Sequence, residues 1–175
     1  GKCLELSGMS ADDIDMVDVY SCFPSAVQIA CQELGIDTKR QLTVTGGLTF
    51  AGGPLNNYVM HSIARMAQLL RENPGKRGMI TANGGYITKH AFGIYSSEAP
   101  AQPFQHADLQ EQVDATPKRE VVIGHQGKGV VESYSVMYGP QGVTKGFVAT
   151  RLDDGRRAWG ISEDAGLLQN MTEEE

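Results

Sequence analysis

Three glycine pairs, Gly46-Gly47, Gly52-Gly53 and Gly84-Gly85, constrain this chain more than any other feature of its sequence. Each lies at or just past the end of a segment that reads as a β-strand, where α/β sheets present their ligands. Glycine at such a place lets the backbone approach a ligand closely and aim N–H groups at a developing negative charge. One pair alone reads more simply as a tight turn; three in succession point to a site. None belongs to a GxGxxG or Walker loop, because no Lys-Ser/Thr follows and no acidic residue is placed for a ribose. Dinucleotide and nucleoside triphosphate binding are therefore poor readings.

The segments around the glycines supply the architecture. GKCLEL reads as the end of a helix stopped by Gly8, with Ser10 capping a short acidic turn. A helix of which only the end is present implies sequence upstream. MVDVY (16–20) reads as a strand. Phe23, Ala26, Val27, Ala30, Cys31 and Leu34 then form a one-sided helical stripe ending at Gly35. QLTVTGG (41–47) reads as a second strand. Val59, Ile63, Met66, Ala67 and Leu70 mark the buried side of a longer helix, with His61, Arg65, Gln68 and Glu72 opposite. Met60, Met66 and Met79 read as core filler, and Asn56-Asn57 as caps of that helix. RGMITANGG (77–85) and AFGIYSS (91–97) read as two further strands, giving a βαβαββ layered α/β domain over 1–99.

Residues 100–118, with Pro100, Pro103 and Pro117, lack apolar periodicity and read as a linker. Short β-like runs at 119–124, 129–138, 144–150 and 156–161 follow, separated by glycine turns, and predict a small all-β, barrel-like domain over 119–165. An acidic tail, 166–175, reads as frayed. Residues 101–175 hold seven Lys and Arg against twelve Asp and Glu, a net −5, the wrong sign for tracking nucleic acid phosphates. Arg151, Arg156 and Arg157 form a local basic patch, read first as a charged hairpin turn and second as a contact for phosphates. Three cysteines, Cys3, Cys22 and Cys31, make no CxxC pair; no disulfide framework or metal site is expected. No apolar run reaches the roughly 20 residues of a membrane span, and the expected location is cytoplasmic.

DVYSCFPSAVQ, GGLTFAGGPLNNY and TANGGYITKHAFG, in this order, resemble the C-terminal half of the thiolase superfamily, nearest to thiolase-like proteins of type 1 and the sterol-carrier thiolases. GKGVVESYSVMYGPQG and TKGFVATRLDDGRRAWGI resemble the additional C-terminal domain of the type 1 proteins. The resemblance implies an acetyl-CoA C-acetyltransferase-like activity on coenzyme A thioesters, with no covalently bound cofactor. It also implies a nucleophilic cysteine on an N-terminal half that this chain does not contain, reached by fusion or by association in a homo- or hetero-oligomer.

Three positions depart from the family's motifs. Tyr20 stands where the Asn-Glu-Ala-Phe or His-Asp-Cys-Phe motif has Asn or His, Gly53 where Gly-His-Pro has its histidine, and Thr81 near the acid/base cysteine of Cys-x-Gly-Gly-Gly. A threonine hydroxyl does not replace a thiol unless a base lies beside it. His90, just past the third glycine pair, is the candidate for the base that Gly53 lacks; the blander reading is a histidine satisfied by a backbone carbonyl. The candidate catalytic set is His90, Tyr20, Thr81 and Asn83, with Gly52, Gly53, Gly84 and Gly85 as backbone donors and Phe23, Asn56 and Asn57 toward substrate. Cys22 and Cys31 read as packing, and His61, His106 and His125 as isolated surface residues. The alternative is a catalytically degenerate module that binds coenzyme A or docks a partner chain.

Overall fold

The structure, a computed structural model, describes residues 1–173, so the last two positions of the expected acidic tail lie outside it. The chain divides into two compact units, Gly1–Leu109 and Gln110–Glu175.

In the first unit α1 (Lys2–Ser7) ends at Gly8, whose φ of 67° is the left-handed turn only glycine adopts freely. The Asp13 carboxylate accepts from the Ser10 amide at 2.8 Å and hydroxyl at 2.7 Å, which closes the acidic turn. A three-stranded sheet follows in the order β1-β2-β3, formed by β1 (Met16–Asp18), β2 (Arg77–Gly84) and β3 (Lys89–Ser96). Strands β1 and β2 run parallel with Val17 beside Met79; β2 and β3 run antiparallel. Successive residues of a strand face opposite ways. Met79 therefore joins Leu4, Ile14, Val17, Val19, Cys31 and Ile36 in one core, under α2 (Pro24–Leu34). Ile80 joins Met66 and Leu70 of α4 (Tyr58–Glu72) on the other side. At Gly78 a Cβ would stand 2.3 Å from the Met66 sulfur, so α4 packs directly on bare strand backbone.

Three local features differ from the sequence reading. Residues 41–47 run beside β1 without forming a strand. Among the described residues one ladder bond is made, from the Val19 amide to the Leu42 carbonyl, because the next amides turn to side chains: Val44 N–H donates to Asp18 and Thr45 N–H to the Thr43 hydroxyl. A four-residue helix, α3 (Leu48–Ala51), follows at once. Met60 is 58% exposed, one position off the buried row of α4. Asn57 does occupy the N-cap of α4, but its side chain makes no capping bond.

In the second unit, after the short α5 (Gln110–Asp114), four strands pair in the order β4-β7-β6-β5: β4 (Val121–Val122), β7 (Arg157–Ser162), β6 (Gly142–Arg151) and β5 (Val130–Gly139). A bulge at Glu132 interrupts the β5–β6 register. Residues 166–170, expected to fray, belong to α6 (Ala165–Asn170), capped by the Asp164 carboxylate accepting from Leu167 N–H at 2.7 Å. Leu168 is buried, and with Met171 it covers the bare backbone of Gly146. An apolar pair aimed at a glycine gives this helix a docking point that composition alone does not reveal.

Candidate active site at the carboxyl ends of β1 and β2

The site is organised by a residue that sequence reading passed over. Asp18 ends β1, is fully buried and has no cation within ion-pair distance among the described residues. Its charge is instead met by five donors. Tyr58 (2.9 Å) and Ser62 (2.6 Å) bond Oδ1; Thr43 (2.7 Å), the Val44 amide (2.9 Å) and Thr45 (3.3 Å) bond Oδ2. Burial, reinforced by the Asp18 charge, pushes the Tyr58 hydroxyl pKa up. The Thr43 hydroxyl in turn accepts from the amides of Thr45, Gly46 and Gly47. One carboxylate thus fixes the first glycine pair against α4. A signal was present in the sequence: an acid between Val17 and Val19, with Tyr58 and Ser62 spaced four apart on one helix face.

Two more hydroxyls tie the motif loops together. Thr81 Oγ1, nearly buried, accepts the Tyr20 amide at 2.9 Å. Ser21 Oγ accepts the Leu48 amide at 3.0 Å, and it lies so close that a Cβ on Gly47 would stand 2.7 Å away. Gly47, at φ 76°, is therefore required both by conformation and by contact. The Tyr20 ring meets Tyr58 edge-on at 5.3 Å, and Phe23, the N-cap of α2, stacks on Tyr86 at 6.3 Å.

The β2–β3 register gathers three of the four catalytic candidates, Thr81, Asn83 and His90, on one face. Thr81 lies opposite Phe92, and Asn83 opposite His90. Residues two apart on a strand share a face, so Thr81, Asn83, Phe92 and His90 line one surface beyond the buried Met79 and its half-buried partner Ile94. His90 stacks on Phe92 with centroids 6.2 Å apart. Its Nε2 lies 2.9 Å from the Ile87 carbonyl. A carbonyl only accepts, so Nε2 is the nitrogen that donates to it and Nδ1 is left out of that bond. Asn83 Oδ1 is a buried acceptor with no partner among the described residues.

The glycines divide by role. Gly85 needs its φ of 57° for the turn that follows β2. Gly84 has ordinary φ, and a Cβ there would find nothing closer than Lys89 Cβ at 4.0 Å, so nothing within the chain demands a glycine. Gly52, Gly53, Asn56 and Asn57 lie in the loop between α3 and α4. Its backbone bonds are local, from Gly52 to Leu48 and from Asn57 to Pro54, and no hydrogen bond joins it to β2 or β3 among the described residues. The structure therefore brings Thr81, Asn83 and His90 onto one face; it ties only the Tyr20 amide to Thr81, turning the Tyr20 ring to Tyr58, and sets Phe23 on Tyr86 in the turn after β2.

Residues 108–175 match the family described as the thiolase-like protein type 1 additional C-terminal domain. Among solved structures, the chain is similar to a monomeric SCP2-thiolase like protein type 1 from Mycobacterium smegmatis, at 38% identity and a TM-score of 0.86 over 98% of this chain. This chain spans 38% of the length of that one. No curated protein matches. The fold and the β unit together define a thiolase-like chain. Within that class it belongs with the thiolase-like proteins that carry an additional C-terminal domain.

Proposed function

We propose that this chain forms part of a thiolase-like acyltransferase acting on coenzyme A thioesters, with the nucleophile carried by an N-terminal half outside the chain. The observation that carries the reading is the shared face of Thr81, Asn83 and His90 at the end of β2, beside a glycine at 84 that the chain itself does not need. His90 Nδ1 is the base: Nε2 is held by the Ile87 carbonyl, so the lone pair faces a fixed direction. Backbone N–H groups at Gly84 and Gly85 supply donors for a thioester oxygen that gains negative charge. The loop bearing Gly52, Gly53, Asn56 and Asn57 adds further donors once the other half of the site is in place. The protein works in the cytoplasm, with a coenzyme A thioester as substrate and no covalently bound cofactor.

The test uses the complete natural polypeptide. His90→Gln keeps a donor for Ile87 while removing the base, and acyl-CoA turnover should fall by about 100-fold or more. Unchanged turnover would remove His90 from the chemistry. One observation favours the degenerate reading: the Thr81 oxygen is occupied by the Tyr20 amide and has no basic neighbour hydrogen-bonded to it. In that case titration of the same polypeptide with acetyl-CoA should give binding heat without turnover. No heat with either acetyl-CoA or acetoacetyl-CoA would reject thioester binding altogether.

A further inference from the structure

The β unit carries a basic and aromatic surface that the thioester reading does not use. In the register of β6 and β7, Arg151 lies directly opposite Arg157, and the next pair on the same face is Ala149 with Trp159. Val121 of β4 pairs with Arg157, which brings Arg119 to the same face two residues earlier. These three guanidiniums surround one carboxylate. Glu132 accepts from Arg157 at 2.8 Å, lies 3.6 Å from Arg119, and has its pKa held down by Arg157 first and by Arg119 and Arg151 as well. Arg151 makes no ion pair among the described residues.

Like charges set directly across a sheet repel, and a single glutamate cancels only one of three. The excess positive charge is local, because the unit as a whole is acidic. Two residue pairs along, about 7 Å away at strand rise, Trp159 is 60% exposed and has no ring partner among the described residues. Helix α6 covers the other face of the sheet, at Gly146. An uncompensated guanidinium beside a bare indole matches an aromatic ring that carries a phosphate.

We propose that this face of the β unit binds a mononucleotide, its base stacked on Trp159 and its phosphate on Arg151. The net acidity of the unit selects a short anion over a nucleic acid strand, whose other phosphates would meet carboxylates. The proposal rests on residues of the second unit alone and stands whether or not the first unit handles thioesters.

Trp159 is the sole tryptophan, so intrinsic fluorescence reports on this site alone. Titrating the 175-residue chain with ADP should quench it saturably, and adenosine or inorganic phosphate alone should bind more weakly. Losing one charge-assisted contact in Arg151→Ala should weaken ADP about tenfold. Arg151→Lys, which keeps the charge and loses the fork, should fall between. Arg156→Ala should change nothing, since that guanidinium is paired with Asp154 and Glu120. The proposal is overturned by absence of saturable quenching, by equal ADP affinity in the wild type and both Arg151 variants, or by an oligonucleotide binding more tightly than ADP.

Discussion

Replacing Asp18 by Asn tests whether one buried charge holds the first glycine loop in place. The substitution is nearly isosteric, so its cost comes from hydrogen bonding and not from a cavity. Oδ1 survives and still accepts from Tyr58 and Ser62, but each bond drops from charge-assisted to neutral, a loss of about 1 kcal/mol apiece. On the other side an NH2 group replaces Oδ2 and faces the Val44 amide, donor against donor. A buried N–H left without an acceptor costs about 1–3 kcal/mol, and the Thr43 hydroxyl, already accepting three amides, must reorient. These figures are net of dehydration, so relief from burying a charge is already counted. The sum is about 3–5 kcal/mol, a large share of the roughly 5–15 kcal/mol that keeps a domain folded. At about 4–8 °C per kcal/mol, the melting temperature of the first unit should fall by at least about 12 °C. Urea unfolding followed by circular dichroism should show the midpoint drop with the slope unchanged. A loss below about 1 kcal/mol would mean that the five donors do not depend on the carboxylate, and the account of the site's scaffold would be wrong.

Two further outcomes follow from local geometry. The Asp15 carboxyl is held below its ordinary pKa, first by the Lys76 ammonium at 2.6 Å and then by the Arg77 amide at 2.9 Å. A depressed carboxyl contributes stability that is present above its unfolded pKa of about 3.9 and disappears as pH falls through the lower folded value. Asp15→Asn should therefore flatten the acid limb of a urea-midpoint-against-pH curve below about pH 4, and an unaltered limb would contradict the assignment. Leu168→Ala removes the side chain that seats α6 on Gly146, at a cost of about 2–4 kcal/mol. Hydrogen exchange at β6 amides should accelerate accordingly, and unchanged protection would show that α6 does not stabilise the sheet.

The long elements were legible because their periodicity is strong. The α4 stripe and the β2–β3 strands are where spacing and apolar runs place them, and the turns at Gly8 and Gly35 follow from the need for positive φ. The segment 41–47 was misread because Thr, Val and Thr favour strands intrinsically, whereas Asp18, more than 20 residues earlier, claims their donors. Pattern reading sees the valines flanking Asp18 and not the partners that make an acid tolerable between them. At the site, the motifs named Tyr20, Thr81 and Asn83, but only the register could reveal that His90 stands opposite Asn83. The helix α6 escaped because its docking surface is an absence of side chain on another strand.

The turn between β2 and β3 has a consequence for how this unit folds. Gly85, Tyr86 and Ile87 all have positive φ, at 57°, 55° and 67°. For tyrosine, and more so for a β-branched isoleucine, that conformation costs about 1–3 kcal/mol per residue. The strain is sustained by the eight-residue ladder behind it and by the His90 ring, which grips the Ile87 carbonyl. An isolated hairpin with so unfavourable a turn does not nucleate. The turn is thus held by the sheet behind it and not the sheet by the turn, and opening of the hairpin at its His90 end releases that strain.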